Sequence, residues 1–197
     1  MKLNNRQRIL DASIELFNAS GTIAVTTNHI SRHLKISPGN LYFHFEDREE
    51  IVRELFKKLC QDTYRAWDVN AGHDPQRFLA KSFEVFWTYR FFHREMYHLR
   101  RQDPFLAREW KRHMRHCFKL LKLNYRNWYE AGLMRRIADP QEMRDLCDSV
   151  LLTSSAYLGF FESPEKPPTR KAIRAGIDRV MRLLSPYMNR GGAEALN

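Results

Sequence analysis

Cysteine is nearly missing: Cys60, Cys117 and Cys147 are the only three in 197 residues. They are far apart and odd in number, so no disulfide framework is expected, and a reducing cytoplasm is the expected compartment. A long apolar run is lacking too. The longest uncharged apolar stretch, SVLLTSSAYLGFF at 149–161, has 13 residues, against about 20 for a membrane-spanning helix. No membrane partner is expected. The opening residues, MKLNNRQRILDAS, are polar and hold no apolar signal core. Strand-period alternation, internal repeats and low-complexity tracts are missing as well. So are a phosphate-cradling glycine loop, an H-E-x-x-H pair and a nucleophile elbow. These absences predict a chain that is not an enzyme and needs no cofactor.

What is present suits a folded, basic, helical protein. At 43% hydrophobic residues the chain can bury a real core. The formal charge is +10, from 33 basic and 23 acidic residues, which favours a polyanionic partner. The excess is local. Residues 1–58 carry 9 Lys/Arg and 7 Asp/Glu, whereas 90–126 carry 11 against 3.

The periodic segments read as helix almost throughout. Asn5 can cap a first helix that Gly21 stops. A second follows Thr26, with Ile30 and Leu34 on one face. Ser37-Pro38 opens a third, with a cap hydroxyl followed by proline at the first helical position. Asp47-Arg-Glu-Glu50 has capping-box spacing and opens a fourth that runs to about Trp67. After a linker at 70–75, helices are predicted over 75–91, 93–101, 104–131, 140–161 and 170–188, with a break at SPEKPPT, 163–169. The expected fold class is all-α. An N-terminal three-helix helix-turn-helix domain, 1–46, is joined by a linking helix to a helical ligand-binding and dimerisation bundle, together 47–197.

Residues 26–45 fit a helix-turn-helix. The second helix, 38–44, would enter a DNA major groove about 12 Å wide. Leu41 and Phe45, four apart, face inward. Asn40, Tyr42 and His44 face DNA, where Asn pairs with base edges or phosphate and Tyr donates to phosphate or packs on a thymine methyl. Phe43 is expected to pack rather than to touch DNA. Gly39 removes a side chain where phosphate would pass close.

The stretch TTNHISRHLKISPGNLYFHFEDREEIV, 26–52, strongly resembles the DNA-binding signature of TetR-family transcriptional regulators. The matching positions are Thr26, Thr27, Ile30, Leu34, Ser37, Gly39, Leu41, Tyr42, His44, Phe45 and Glu49. The resemblance implies DNA contacts at Thr26, Thr27, Ser37, Pro38, Gly39, Asn40, Tyr42, His44 and Arg48. Thr26 can also be a cap alone, and Thr27 is then the phosphate contact. Three positions depart from the pattern. Lys35 replaces a left-handed glycine, at a cost of roughly 1 kcal/mol if the turn is kept. Ser31 replaces a packing alanine. Arg48 replaces a lysine that often meets phosphate.

In the second half, cations interleave with aromatic residues. One reading is a solvated basic face over core aromatics. A sharper one is a pocket for a small apolar molecule with an acidic head, such as a fatty acid or acyl-CoA. Its candidate residues are Phe83, Trp87, Arg90, Phe91, Tyr97, Trp110, His113 and Cys117. A third reading lays some arginines on DNA backbone. HMRHC, 113–117, has zinc-type donors, but only two converge easily, so no metal is expected.

The stretch 149–161 is apolar or small on every face, as in a helix buried all round. Ile173, Ile177, Val180 and Leu184 form a 4-3-4 seam. The family resemblance implies a four-helix homodimer interface here, with Leu151, Ser155, Leu158, Ile173, Ile177, Val180 and Leu184 as candidates. Two reading heads then meet a palindromic double-stranded operator. The expected function is a sequence-specific, effector-responsive repressor. The alternative is a broad-specificity architectural or protein-interaction factor on the same fold.

Overall fold

The computed structural model describes residues 5–72, 74–161 and 169–189; the side chains of Leu158 and Phe161 lie outside that description, as do residues 163–168 of the predicted break at 163–169. The described helices are α1 (Asn5–Ser20), α2 (Thr27–Leu34), α3 (Pro38–Tyr42), α4 (Arg48–Ala66), α5 (Pro75–Thr88), α6 (Arg90–Gln102), α7 (Pro104–Glu130), α8 (Pro140–Phe161) and α9 (Arg170–Leu184). Short 3-10 turns follow α4 and α9, and the chain is all-α, with one isolated bridge, Met134 to Met188, among the described residues.

Local chemistry fixes most boundaries. Gly21, at φ 79°, ends α1 in the left-handed region where glycine carries no Cβ penalty. Asp47, Asp74 and Asp103 each accept from a backbone amide in the first turn of α4, α5 and α7. The helix predicted over 75–91 is instead divided at Tyr89. Asn18 of α1 causes no break in satisfaction there: its amide donates to Thr88 O and its oxygen accepts from Phe91 N. Tyr89 itself is buried and donates to Asp62 at 2.6 Å.

Two apolar cores result. The first joins Ile9 and Phe17 of α1, Ile30, Leu41, Phe45 and the inner face of α4 to Phe91, Phe92, Met96 and Leu99 of α6. The N-terminal helices α1–α4 therefore share one core with α6. The second core gathers Phe78, Phe83, Leu121, Tyr125, Trp128, Val150, Val180 and Leu184 from α5, α7, α8 and α9. Fully burying one such side chain contributes about 1.5–3 kcal/mol. Arg6 to Glu54, at 2.8 Å, ties α1 to α4 on the surface.

Within a single protomer α8 is not buried on every side. Leu152 is 70% exposed and Phe160 78% exposed. The opposite face of α8 packs on the core of its own chain.

Candidate functional site

The Thr26 hydroxyl accepts from His29 N, and His29 Nδ1 accepts from Thr26 N. This is a reciprocal cap on α2 with histidine doing what glutamate usually does. Thr27 is left outward, and its hydroxyl lies 3.0 Å from that of Tyr42. Lys35 closes α2 at φ 55° and ψ 41°, so the left-handed turn is kept without glycine. Ser37 caps α3 by accepting from Asn40 N, and Pro38 follows.

That one-turn helix has two sides. Leu41 and Phe45 are buried, and the Arg6 guanidinium lies over the Phe45 ring at 4.9 Å. Asn40 and Tyr42 are exposed, and His44 is half-buried. A Cβ on Gly39 would meet only Ser37 Oγ at 4.0 Å, so the fold itself does not require glycine there. Two expectations are revised. Phe43 does not pack; it is 84% exposed, because α3 ends at Tyr42 and nothing covers the following residue except the edge of His44. Arg48 is not a free cation: it donates to Thr22 O at 2.9 Å and pairs with Glu49.

Between α4, α5, α6, α7 and α8 lies a small cavity of about 30 Å³. Of the eight sequence candidates, Trp110, His113 and Cys117 line it. The other five do not. Phe83 and Phe91 are fully buried packing residues. Trp87 carries the Arg90 guanidinium at 4.6 Å, and Tyr97 is 69% exposed. Sequence reasoning missed Thr63, Trp67, His93, Met114 and Ser154, which also line the cavity. The helical period places these residues on inner faces, but which inner face meets a cavity depends on the helix packing.

Among the described residues, no Lys or Arg lines the cavity. His93 Nδ1 donates to Ser155 O at 3.1 Å, since a carbonyl only accepts. Burial pushes the His93 and His113 imidazoles down to about 4, so both are neutral near pH 7. His93 therefore presents its Nε2 as an acceptor. That atom and Trp67 Nε1 are buried without a hydrogen-bond partner. His113 Nδ1 lies 3.1 Å from the Tyr64 hydroxyl and its Nε2 lies 3.5 Å from Cys117 Sγ. Burial raises the Cys117 thiol. Among the described residues no group of three His, Cys, Asp or Glu converges to hold a metal ion. The basic stretch lies outside: Arg100 stacks on Trp110, Arg108 on Phe105, and Arg112 pairs with Glu109. Lys119, Lys122, Arg126 and Arg136 rim a separate surface groove of about 300 Å³.

The sequence-expected dimer seam is corrected. Ile173, Val180 and Leu184 are buried against their own chain, as is Leu151. Ser155 turns toward the cavity, Ile177 is half-buried over α5, and the Leu158 side chain lies outside the described residues. An apolar helical seam needs a partner, and α5 supplies one inside the protomer.

A family model described as "Bacterial transcriptional repressor", TetR, matches residues 63–196. The chain belongs to the TetR family. A second TetR-family model, "Bacterial regulatory proteins, tetR family", matches residues 9–55, which hold the reading head. The structure of a TetR-family transcriptional regulator from Marinobacter aquaeolei VT8 is 28% identical, with a TM-score of 0.87 over 98% of this chain and 95% of that one. The ketosteroid transcriptional regulator KstR2 of Mycobacterium tuberculosis, 20% identical at a TM-score of 0.65 over 96% of this chain and 98% of that one, shares the fold. The HTH-type transcriptional regulator UidR of Escherichia coli (strain K12) is 36% identical over 61 residues, 31% of this chain and 30% of its own. SAB2452, an HTH-type transcriptional regulator of Staphylococcus aureus (strain bovine RF122 / ET3-1), is 32% identical over 78 residues, 34% and 42% of the two chains. The chain thus matches less than half the length of these curated relatives. TetR membership makes the chain a transcriptional regulator rather than an enzyme. No described helix is long and apolar enough to cross a membrane.

Proposed function

We propose that the chain is a sequence-specific, effector-responsive repressor, acting in the cytoplasm as a homodimer on a palindromic operator. The exposed hydroxyl pair of Tyr42 and Thr27 carries this reading. It sits beside exposed Asn40, over an α3 anchored by buried Leu41 and Phe45. A tyrosine or threonine hydroxyl can meet phosphate, and asparagine can pair with a base edge in the major groove. Exposed Phe43 adds an apolar surface suited to a thymine methyl.

One head reads one half-site, so a palindrome needs two copies. The exposed face of α8 offers Leu152, Ala156 and Phe160 at four-residue spacing, with Leu183 of α9 also open, and a second copy is the occupant proposed for it. The cavity beside α6 is the effector site. An effector acts only if it binds the operator-bound and released states unequally.

The test is fluorescence anisotropy on an operator fragment with wild type and Tyr42→Ala. The variant should bind at least about tenfold more weakly, the loss of one good contact, while its sedimentation stays unchanged. Equal affinity contradicts the assignment of the reading face.

A further inference from the structure

Two residues that line the cavity, Trp67 and His93, each carry a buried polar atom without a hydrogen-bond partner, one a donor and the other an acceptor. Trp67 is 3% exposed, and its Nε1–H can only donate. His93 Nε2 can only accept, because Nδ1 holds the proton that goes to Ser155 O. A buried polar atom without a partner costs stability, so such atoms call for an explanation. Most of what surrounds them is apolar or already engaged, with the Ser154 hydroxyl the other polar group in the wall. Phe86 stacks edge-on against His93 at 4.7 Å, and the His113 nitrogens are taken up by Tyr64 and Cys117.

We infer that the effector of this regulator is an uncharged, largely apolar molecule with a hydroxyl, which supplies an acceptor for Trp67 Nε1–H and a donor for His93 Nε2. A hydroxyl is the smallest group that supplies both. A carboxylate has no proton to give His93 and finds no Lys or Arg among the described residues of this wall, so its burial is costly. A hydrocarbon leaves both atoms unpaired. At about 30 Å³ the cavity admits the polar head alone. The body of the ligand follows the half-exposed side formed by Trp110, Met114 and Ser155, where an unbranched methionine yields readily. The sequence had suggested an acidic, acyl-type ligand. Its arginines stack on outer aromatic faces instead.

This inference rests on the effector-responsive reading, and a matched set of probes separates the two. Dissociation constants for 4-ethylphenol, ethylbenzene and 4-ethylbenzoate are measured by ligand-observed NMR on the full chain. The phenol should bind about tenfold more tightly than either of the others, as one to two hydrogen bonds allow. Trp67→Phe and His93→Phe, checked for folding by circular dichroism, should each reduce that preference and leave ethylbenzene binding in place. The ranking of probes on wild type stands as a test even if a variant fails to fold. Equal binding of phenol and hydrocarbon would mean that water satisfies the two atoms, and it overturns the inference. So does tighter binding of the benzoate, or binding of none of the three at millimolar concentration. If the benzoate or the hydrocarbon binds and releases operator DNA, the hydroxyl assignment falls and the effector-responsive reading stands. A phenol that binds tightly and leaves operator affinity unchanged counts instead against the effector-responsive reading.

Discussion

Glu95 Oε2, on α6, accepts from both the backbone amide of Thr22, at 3.0 Å, and its hydroxyl. Thr22 lies in the turn between α1 and α2, and its carbonyl accepts from Arg48 at the start of α4. Two residues before Glu95, His93 lines the cavity. The wall of the cavity and the turn before α2 are thus held by neighbouring residues of one helix.

Glu95→Ala removes the acceptor of two buried donors. It should cost about 1–3 kcal/mol in urea-unfolding stability and blunt the effect of ligand on operator affinity. Glu95→Gln, which keeps one acceptor oxygen, should lose less of both. A Glu95→Ala protein that responds to effector as wild type does would mean that this clamp carries no signal.

His93 and His113 are neutral in the fold, with their pKa lowered to about 4 by burial, against about 6.5 in the unfolded chain. The unfolded state therefore binds more protons between these values. Stability is complete above about pH 6.5 and falls as pH drops toward 4, by about 3 kcal/mol per histidine. His113 faces Tyr64 and Cys117, whose hydroxyl and thiol are held protonated by burial, and His93 faces Ser155 O and Phe86. Urea midpoints between pH 8 and pH 4 check this, and a flat profile over that range contradicts the buried neutral assignment.

Gly176 sits where α9 crosses α5. A Cβ there would lie 2.4 Å from Phe83 Cε1 and 2.9 Å from Tyr157 Cδ1. Alanine would gain about 1 kcal/mol of helix propensity. Overpacking two buried rings outweighs that gain, and Gly176→Ala should be destabilised by about 1–3 kcal/mol in denaturant unfolding.

Leu152 is 70% exposed on α8 and makes no part of the protomer core. Leu152→Glu should leave the melting temperature of the isolated protomer nearly unchanged and shift sedimentation from dimer toward monomer. A dimer of unaltered affinity would place the contact elsewhere.

The reading head was legible in the sequence because its chemistry is local. Thr26, Ser37, Pro38 and Asp47 act within one turn of themselves. Lys35 takes the left-handed turn that its neighbours impose, without glycine. Where the outcome depended on which helix lies opposite, the sequence was ambiguous. The Ile173–Leu184 seam has the spacing of an interface, but α5 fills it within one chain. The arginines of 90–126 suit an anion pocket equally well as a stacked outer face. His93 gave no sign of its role, because only the packing of α6 against α8 brings its ring to Ser155. Phe43, expected to pack, is exposed because α3 stops at Tyr42, two residues before its predicted end.

The central claim is that α3 reads a specific site. Genomic fragments retained by the purified protein at near-physiological salt, then sequenced, test it most directly. A few strongly enriched fragments that share a palindrome, with half-sites about one helical turn apart, are expected. Diffuse enrichment with steep salt dependence would contradict it, and would instead favour a broad DNA-binding factor acting through the exposed cations of α6 and α7.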